Sequence, residues 1–171
     1  MSSISGLSAA QISKLSASFV QNLTTDQLQE LKTTQISALS TSGVAVLSTT
    51  QIGALSTTQL KALTGNQVKA LTTDQITFLA TGQVAFTSSQ LSVLLTAQLE
   101  AFSTTAIAAL DTTQLSGLTA SEISHLTTDQ FAALTSTQVG KFSTAQIRGL
   151  TTDEVASLTT TQLGGLTTAQ L

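Results

Sequence analysis

The chain contains no cysteine, proline, tryptophan or tyrosine, and only 9% of its 171 residues are charged. Without cysteine there are no disulfides and no thiolate metal sites, so the redox compartment is left open. A net charge of −3 supplies no basic footprint for nucleic acid. No apolar run approaches the roughly 20 residues that cross a bilayer, and the N-terminal Met-Ser-Ser-Ile-Ser-Gly-Leu has no basic stretch leading into an apolar one, so no signal peptide is visible. A hydrophobic share of 41% with so little charge is also unlike intrinsic disorder. What remains is aliphatic residues set among Ser, Thr and Gln.

Those residues repeat. The aliphatic after Gln recurs every eight positions from Ile4 through Ile12, Val20 and Leu28 to Val84, and then, one residue early, from Leu91 through Leu99 to Leu171. The chain thus reads as a single array, residues 1–171, of about 22 octads with a one-residue deletion between Val84 and Leu91. Leu or Phe follows three places after each aliphatic, two at Phe86, and the unit is [ST]-T-x-Q-[IVL]-x-A-L.

One continuous helix cannot carry this pattern. Eight residues at about 100° each overshoot two turns by about 80°, so the apolar stripe would wind around the helix. The helix must restart every octad, and the sequence carries the signal. In Thr24-Thr25-Asp26-Gln27-Leu28, Thr24 fits the N-cap and Gln27 the third helical position (N3) of a capping box. Leu23 and Leu28 fit a hydrophobic staple. Eighteen of the N3 residues are Gln or Glu, and Asp26, Asp74, Asp129 and Asp153 stand at N2, where the helix dipole favours negative charge. The pattern predicts an all-α, elongated solenoid of short capped helices.

The residue before each Leu or Phe (N6) alternates. It is small in odd octads, as at Ala38, Ala54, Gly117, Ala133 and Gly149, and larger in many even ones, as at Lys14, Glu30, Phe78, His125 and Lys141. This doubling predicts two octads, 16 residues, per coil. A triangular coil of three octads is the alternative geometry. A β-solenoid is disfavoured because residues three apart, such as Ile52 and Leu55, face opposite sides of a strand. At the deletion, Leu95 replaces the cap residue, so a helix starting near Ser88 is expected to run on through Leu95 and become the longest in the molecule.

No catalytic, cofactor-binding or metal-ligating set is expected. His125 is the only histidine and lacks partner ligands, which leaves no Ser-His-Asp triad and no zinc site in view. Asp153-Glu154 is the only adjacent acidic pair, and capping accounts for both. The one candidate binding feature is the exposed Thr row at the first helical position (N1), represented by Thr25, Thr57, Thr73, Thr104 and Thr152. Together with Gln it could engage ice, glycan or a protein partner; the plainer reading is that short polar residues suit a helix start.

Tracts such as Leu47-Ser-Thr-Thr-Gln-Ile-Gly-Ala-Leu55 and Leu71-Thr-Thr-Asp-Gln-Ile-Thr-Phe-Leu79 resemble octapeptide tracts of very large bacterial surface and adhesin-like proteins. The likeness spans nearly the whole chain, and departs from the pattern at Phe19, Gly43 and Ala106 in place of Gln and at the deletion near Phe86. It implies a non-enzymatic spacer or stalk within a larger protein, extracellular or at the cell surface. No nucleic acid, cofactor or membrane insertion is implied, and self-association through solenoid ends or a face is open.

Overall fold

The computed structural model describes residues 4–81 and 85–171. Among them are nineteen α-helices, a short 3-10 turn at Ile4–Gly6 and no strand. The helices are four to nine residues long and start once in most octads, as the capping pattern predicts. They form two compact units, one up to Leu79 and the other from Ala80 onward.

Each start is held from two directions. At Thr24, the Oγ1 accepts from the Gln27 N–H (3.2 Å), and the Gln27 Oε1 accepts from the Thr24 N–H (2.9 Å). The two halves work independently. Where the third helical residue is Phe19, Gly43 or Ala106, the hydroxyl of Ser16, Ser40 or Ser103 caps alone. Where the cap is Lys32, the Gln35 Oε1 takes the Lys32 N–H at 2.7 Å without any side-chain acceptor.

The same half operates at Leu95 and overturns the expectation of a run-through helix. Ser88–Leu91 ends, and Leu95, with extended backbone at φ −78° and ψ 154°, starts the fresh helix Thr96–Glu100. Gln98 Oε1 accepts the Leu95 N–H at 2.9 Å, so an orphan amide is satisfied although leucine offers nothing. The longest described helix is instead Thr73–Thr81, which passes through Ala80 at a cap position with no hydroxyl. Val84, on one side of the deletion, lies outside the described residues.

Within each unit the aliphatic of the octad is the innermost residue. Ile12, Leu28, Ile36, Ile52, Ile76, Leu91, Ile107, Ile123 and Phe131 are wholly buried, and the following Leu or Phe is nearly so. Most octads bury one of each, which at about 25 cal/mol per Å² is the main term favouring the fold; toward the C-terminus the aliphatics Val155 and Leu163 are exposed.

The expectation of two octads per coil does not hold. Helices pack against those three octads away: Ala17–Gln21 on Thr41–Ala45, and Thr41–Ala45 on Gly65–Ala70 in the first unit, Ser88–Leu91 on Thr112–Ser116 and Ala120–Ile123 on Thr144–Arg148 in the second. Hydrogen bonds between turns join residues 28 to 31 apart. A turn therefore holds between three and four octads. The cause is the corner. A two-octad coil needs a reversal at every link, and tight helix reversals commonly use a left-handed residue after the helix. No described residue has positive φ. Most helices instead leave through a right-handed cap, Gly65–Ala70 and Thr152–Ser157 leave through an extended residue, and the chain re-enters through an extended N-cap, a wide corner that closes a turn only after several repeats.

The bare N6 positions do meet backbone, but in this larger turn. A Cβ on Gly117 would lie 2.3 Å from the Ser88 carbonyl oxygen, and one on Gly165 would lie 2.4 Å from that of Ser136. In both, N6 presses on the first residue of the helix three octads earlier. By contrast, a Cβ on Gly6 would meet nothing within 4 Å.

Candidate functional site: the glutamine seam

The side chain that defines the repeat acts twice. Once Gln67 Oε1 has accepted the Thr64 N–H (2.7 Å), its Nε2 points at the turn below and donates to the carbonyls of Ile36 and Leu39, both at 2.8 Å. Those carbonyls stand at a helix C-terminal end, where the regular helical pattern stops and Ile36 O takes only the Leu39 N–H (3.1 Å) from its own turn. One amide thus satisfies the N-terminus of its own helix and the C-terminus of another. The orientation is fixed by chemistry: a backbone N–H can only face Oε1, and a carbonyl can only face Nε2.

The arrangement repeats through both units. Gln35 donates to Leu7 O (2.7 Å), Gln51 to Leu23 O (2.6 Å), Gln59 to Leu28 and Leu31 O (2.8 Å each) and Gln75 to Leu47 O (2.7 Å). In the second unit Gln114 donates to Phe86 O, Gln130 to Phe102 O, Gln138 to Leu110 O, Gln146 to Leu118 O and Gln162 to Leu134 O, all at 2.7–2.8 Å. Most of these amides are buried, Gln67 with only 1% exposure. A buried amide is costly unless its hydrogen bonds are made, and here they form the seam between turns.

This second role was readable in the composition. Sixteen N3 residues are Gln and two are Glu. A helix N-terminus alone would favour the negative charge of Glu, so a strong preference for the neutral amide signals that a donor is needed as well as an acceptor.

At the two Glu positions the seam changes. Glu122 Oε2 accepts the Thr119 N–H (2.6 Å), and beside it lies a cavity of about 280 Å³ bounded by Leu94, Leu95, Leu99, Thr119, Glu122 and His125. Glu154 Oε2 accepts from the Thr151 N–H (2.7 Å) and hydroxyl (2.9 Å). Its Oε1 is buried without a hydrogen-bond partner.

A family model described as the ALTTAQ repeat matches residues 20–57, 91–128, 107–144 and 140–168, together well over half of the chain. The chain belongs to the ALTTAQ repeat family. Gly165–Gln170 reads Gly-Leu-Thr-Thr-Ala-Gln, the corner of the ALTTAQ unit: a bare residue, a core Leu, a hydroxyl cap, two helix-opening residues and the seam Gln. No curated protein matches the chain.

The five candidate threonines of this ALTTAQ array each open a helix, as the octad register predicts. Thr57, Thr73, Thr104 and Thr152 are exposed, and Thr25 is half-buried. Because each turn holds three to four octads, N1 positions recur several times around every turn. His125 is exposed, with Nδ1 against the Ser121 carbonyl oxygen (2.5 Å). Among the described residues no three His, Asp or Glu are grouped as a metal site, and no helix is long and apolar enough to cross a membrane.

Proposed function

We propose that this ALTTAQ array is a structural spacer, a stalk segment of a larger bacterial surface or secreted protein, and has no enzymatic activity. The observation that supports this reading is the seam. Gln, the most regular polar side chain of the repeat, is spent inside the molecule on joining one turn to the next rather than offered to a ligand. Each turn contacts its neighbours through the same few atoms, so the array lengthens by adding copies of one joint. A surface of Ser and Thr with little charge suits a segment whose task is to hold other modules apart.

The alternative is a binding module that uses the Thr/Gln-rich face for ice, glycan or a protein partner. Burial of the seam glutamines removes half of that face, and what supports the alternative is the exposure of Thr57, Thr73, Thr104 and Thr152. Thermal-hysteresis and glycan-array measurements on the 171-residue chain test the choice. The spacer reading expects silence in both. Ice shaping, or glycan binding lost on Thr104→Val with Thr152→Val, would overturn it.

A further inference from the structure

We propose that Glu154 holds a small monovalent cation in the seam, in the place that a glutamine amide nitrogen fills elsewhere. The neighbouring octads set the register. Gln146 Nε2 lies 3.0 Å from Leu115 O and 2.7 Å from Leu118 O. Gln162 Nε2 lies 3.4 Å from Phe131 O and 2.8 Å from Leu134 O. Glu154 stands midway between them in sequence, and the same 31- and 28-residue steps lead to the carbonyls of Ile123 and Leu126.

Its Oε2 occupies the glutamine oxygen's place, on the Thr151 N–H. Oε1 therefore occupies the nitrogen's place, and it is buried, unpartnered, on a residue only 3% exposed. The register thus sets Oε1, which carries no amide hydrogen, against two carbonyl oxygens, of which Ile123 O also accepts the Leu126 N–H at 3.0 Å. A buried carboxylate without compensation is costly, and the carbonyls opposite it form the negative end of a helix. A cation between the carboxylate and the carbonyls answers both.

The site is specific about what it takes. Calcium seeks six to eight oxygens and magnesium retains several waters; one carboxylate oxygen and two carbonyls in a closed seam provide for neither. The spacing is that of N–H···O bonds, which suits ammonium or a potassium ion stripped of most of its water. Asp153 and Asp129, both exposed at N2 positions of the packed helices Thr152–Ser157 and Thr128–Ala132, add negative potential on the approach.

Thermal unfolding of the full chain, followed by far-UV circular dichroism, tests this at fixed pH and ionic strength in ammonium or potassium chloride against tetramethylammonium chloride. At roughly ten times the dissociation constant, binding to the folded state alone should raise the midpoint by about 3–5 °C. Glu154→Gln supplies its own donor, so it should unfold at a higher temperature than the parent in tetramethylammonium and lose the specific response. Glu122→Gln should keep that response. Equal midpoints in the two salts, a response that survives in Glu154→Gln, or one abolished by Glu122→Gln would overturn the proposal.

Discussion

The two compact units carry the same octad but depart from it differently. Up to Leu79 the seam position is lost to Ser3, Phe19 and Gly43, none of which is charged. Beyond Ala80 it is lost to Ala106 and also to Glu122 and Glu154, which keep the acceptor and discard the donor. Gly43 and Ala106 leave a helix that still starts on its serine hydroxyl. Of the Glu positions, Glu122 lines a surface pocket and Glu154 keeps an orphaned oxygen. A neutral replacement should therefore disturb the seam less than a carboxylate, because both leave the facing carbonyls without a donor and the carboxylate adds a buried charge.

The largest expected effect tests what the units share. Leu28→Ala in the first and Leu115→Ala in the second should each cost about 2–5 kcal/mol, because both are fully buried core residues. Leu163→Ala, at 43% exposure, should cost far less. Chemical denaturation reads all three, and equal losses at Leu115 and Leu163 would break the assignment of the octad aliphatic to the core.

Next comes the seam itself. Gln67→Glu should bring into the first unit the defect the second already carries, leaving the Ile36 and Leu39 carbonyls facing an acceptor. A loss of roughly 1–3 kcal/mol is expected, against a smaller one for Gln67→Ala, which removes the amide without burying a charge in its place. A larger loss for alanine would reverse the lesson drawn from comparing the units.

Gly117→Ala should cost about 1–3 kcal/mol through overpacking against the Ser88 backbone, whereas Gly6→Ala should be nearly neutral. Similar outcomes at the two glycines would show that the close approach three octads back is not real. The smallest effect belongs to the caps: Lys32→Ser should add the missing hydroxyl half and gain on the order of 0.5–1 kcal/mol in thermal or chemical unfolding.

Much of this architecture could be read from the residues. Thr24 and Gln27 announce a helix start, the eight-residue step forbids a continuous helix, and Ile52 with Leu55 can share a core only in a helix. The size of the turn could not be read the same way. The alternation at Ala54, Gly117 and Ala133 suggested a two-octad coil, but the turn depends on how wide a corner the chain makes, and no single residue type reports that. Leu95 was misjudged because the cap hydroxyl was credited with a task that Gln98 performs by itself. Glu154 was absorbed into capping for a related reason: capping explains one of its oxygens, and only the turn below reveals the fate of the other.

The corner also governs how the array survives errors in its own spacing. In a long coiled coil, one deleted residue rotates everything downstream out of phase. Here each octad begins its helix anew from its own amides, so an error is forgotten at the next start. Downstream of the lost residue, Gln114 meets Phe86 and Gln130 meets Phe102 at the same 28-residue interval that joins Gln67 to Leu39 upstream. A tract built this way can gain or lose single residues and whole octads during replication, and the octads beyond the change still find their register from their own caps.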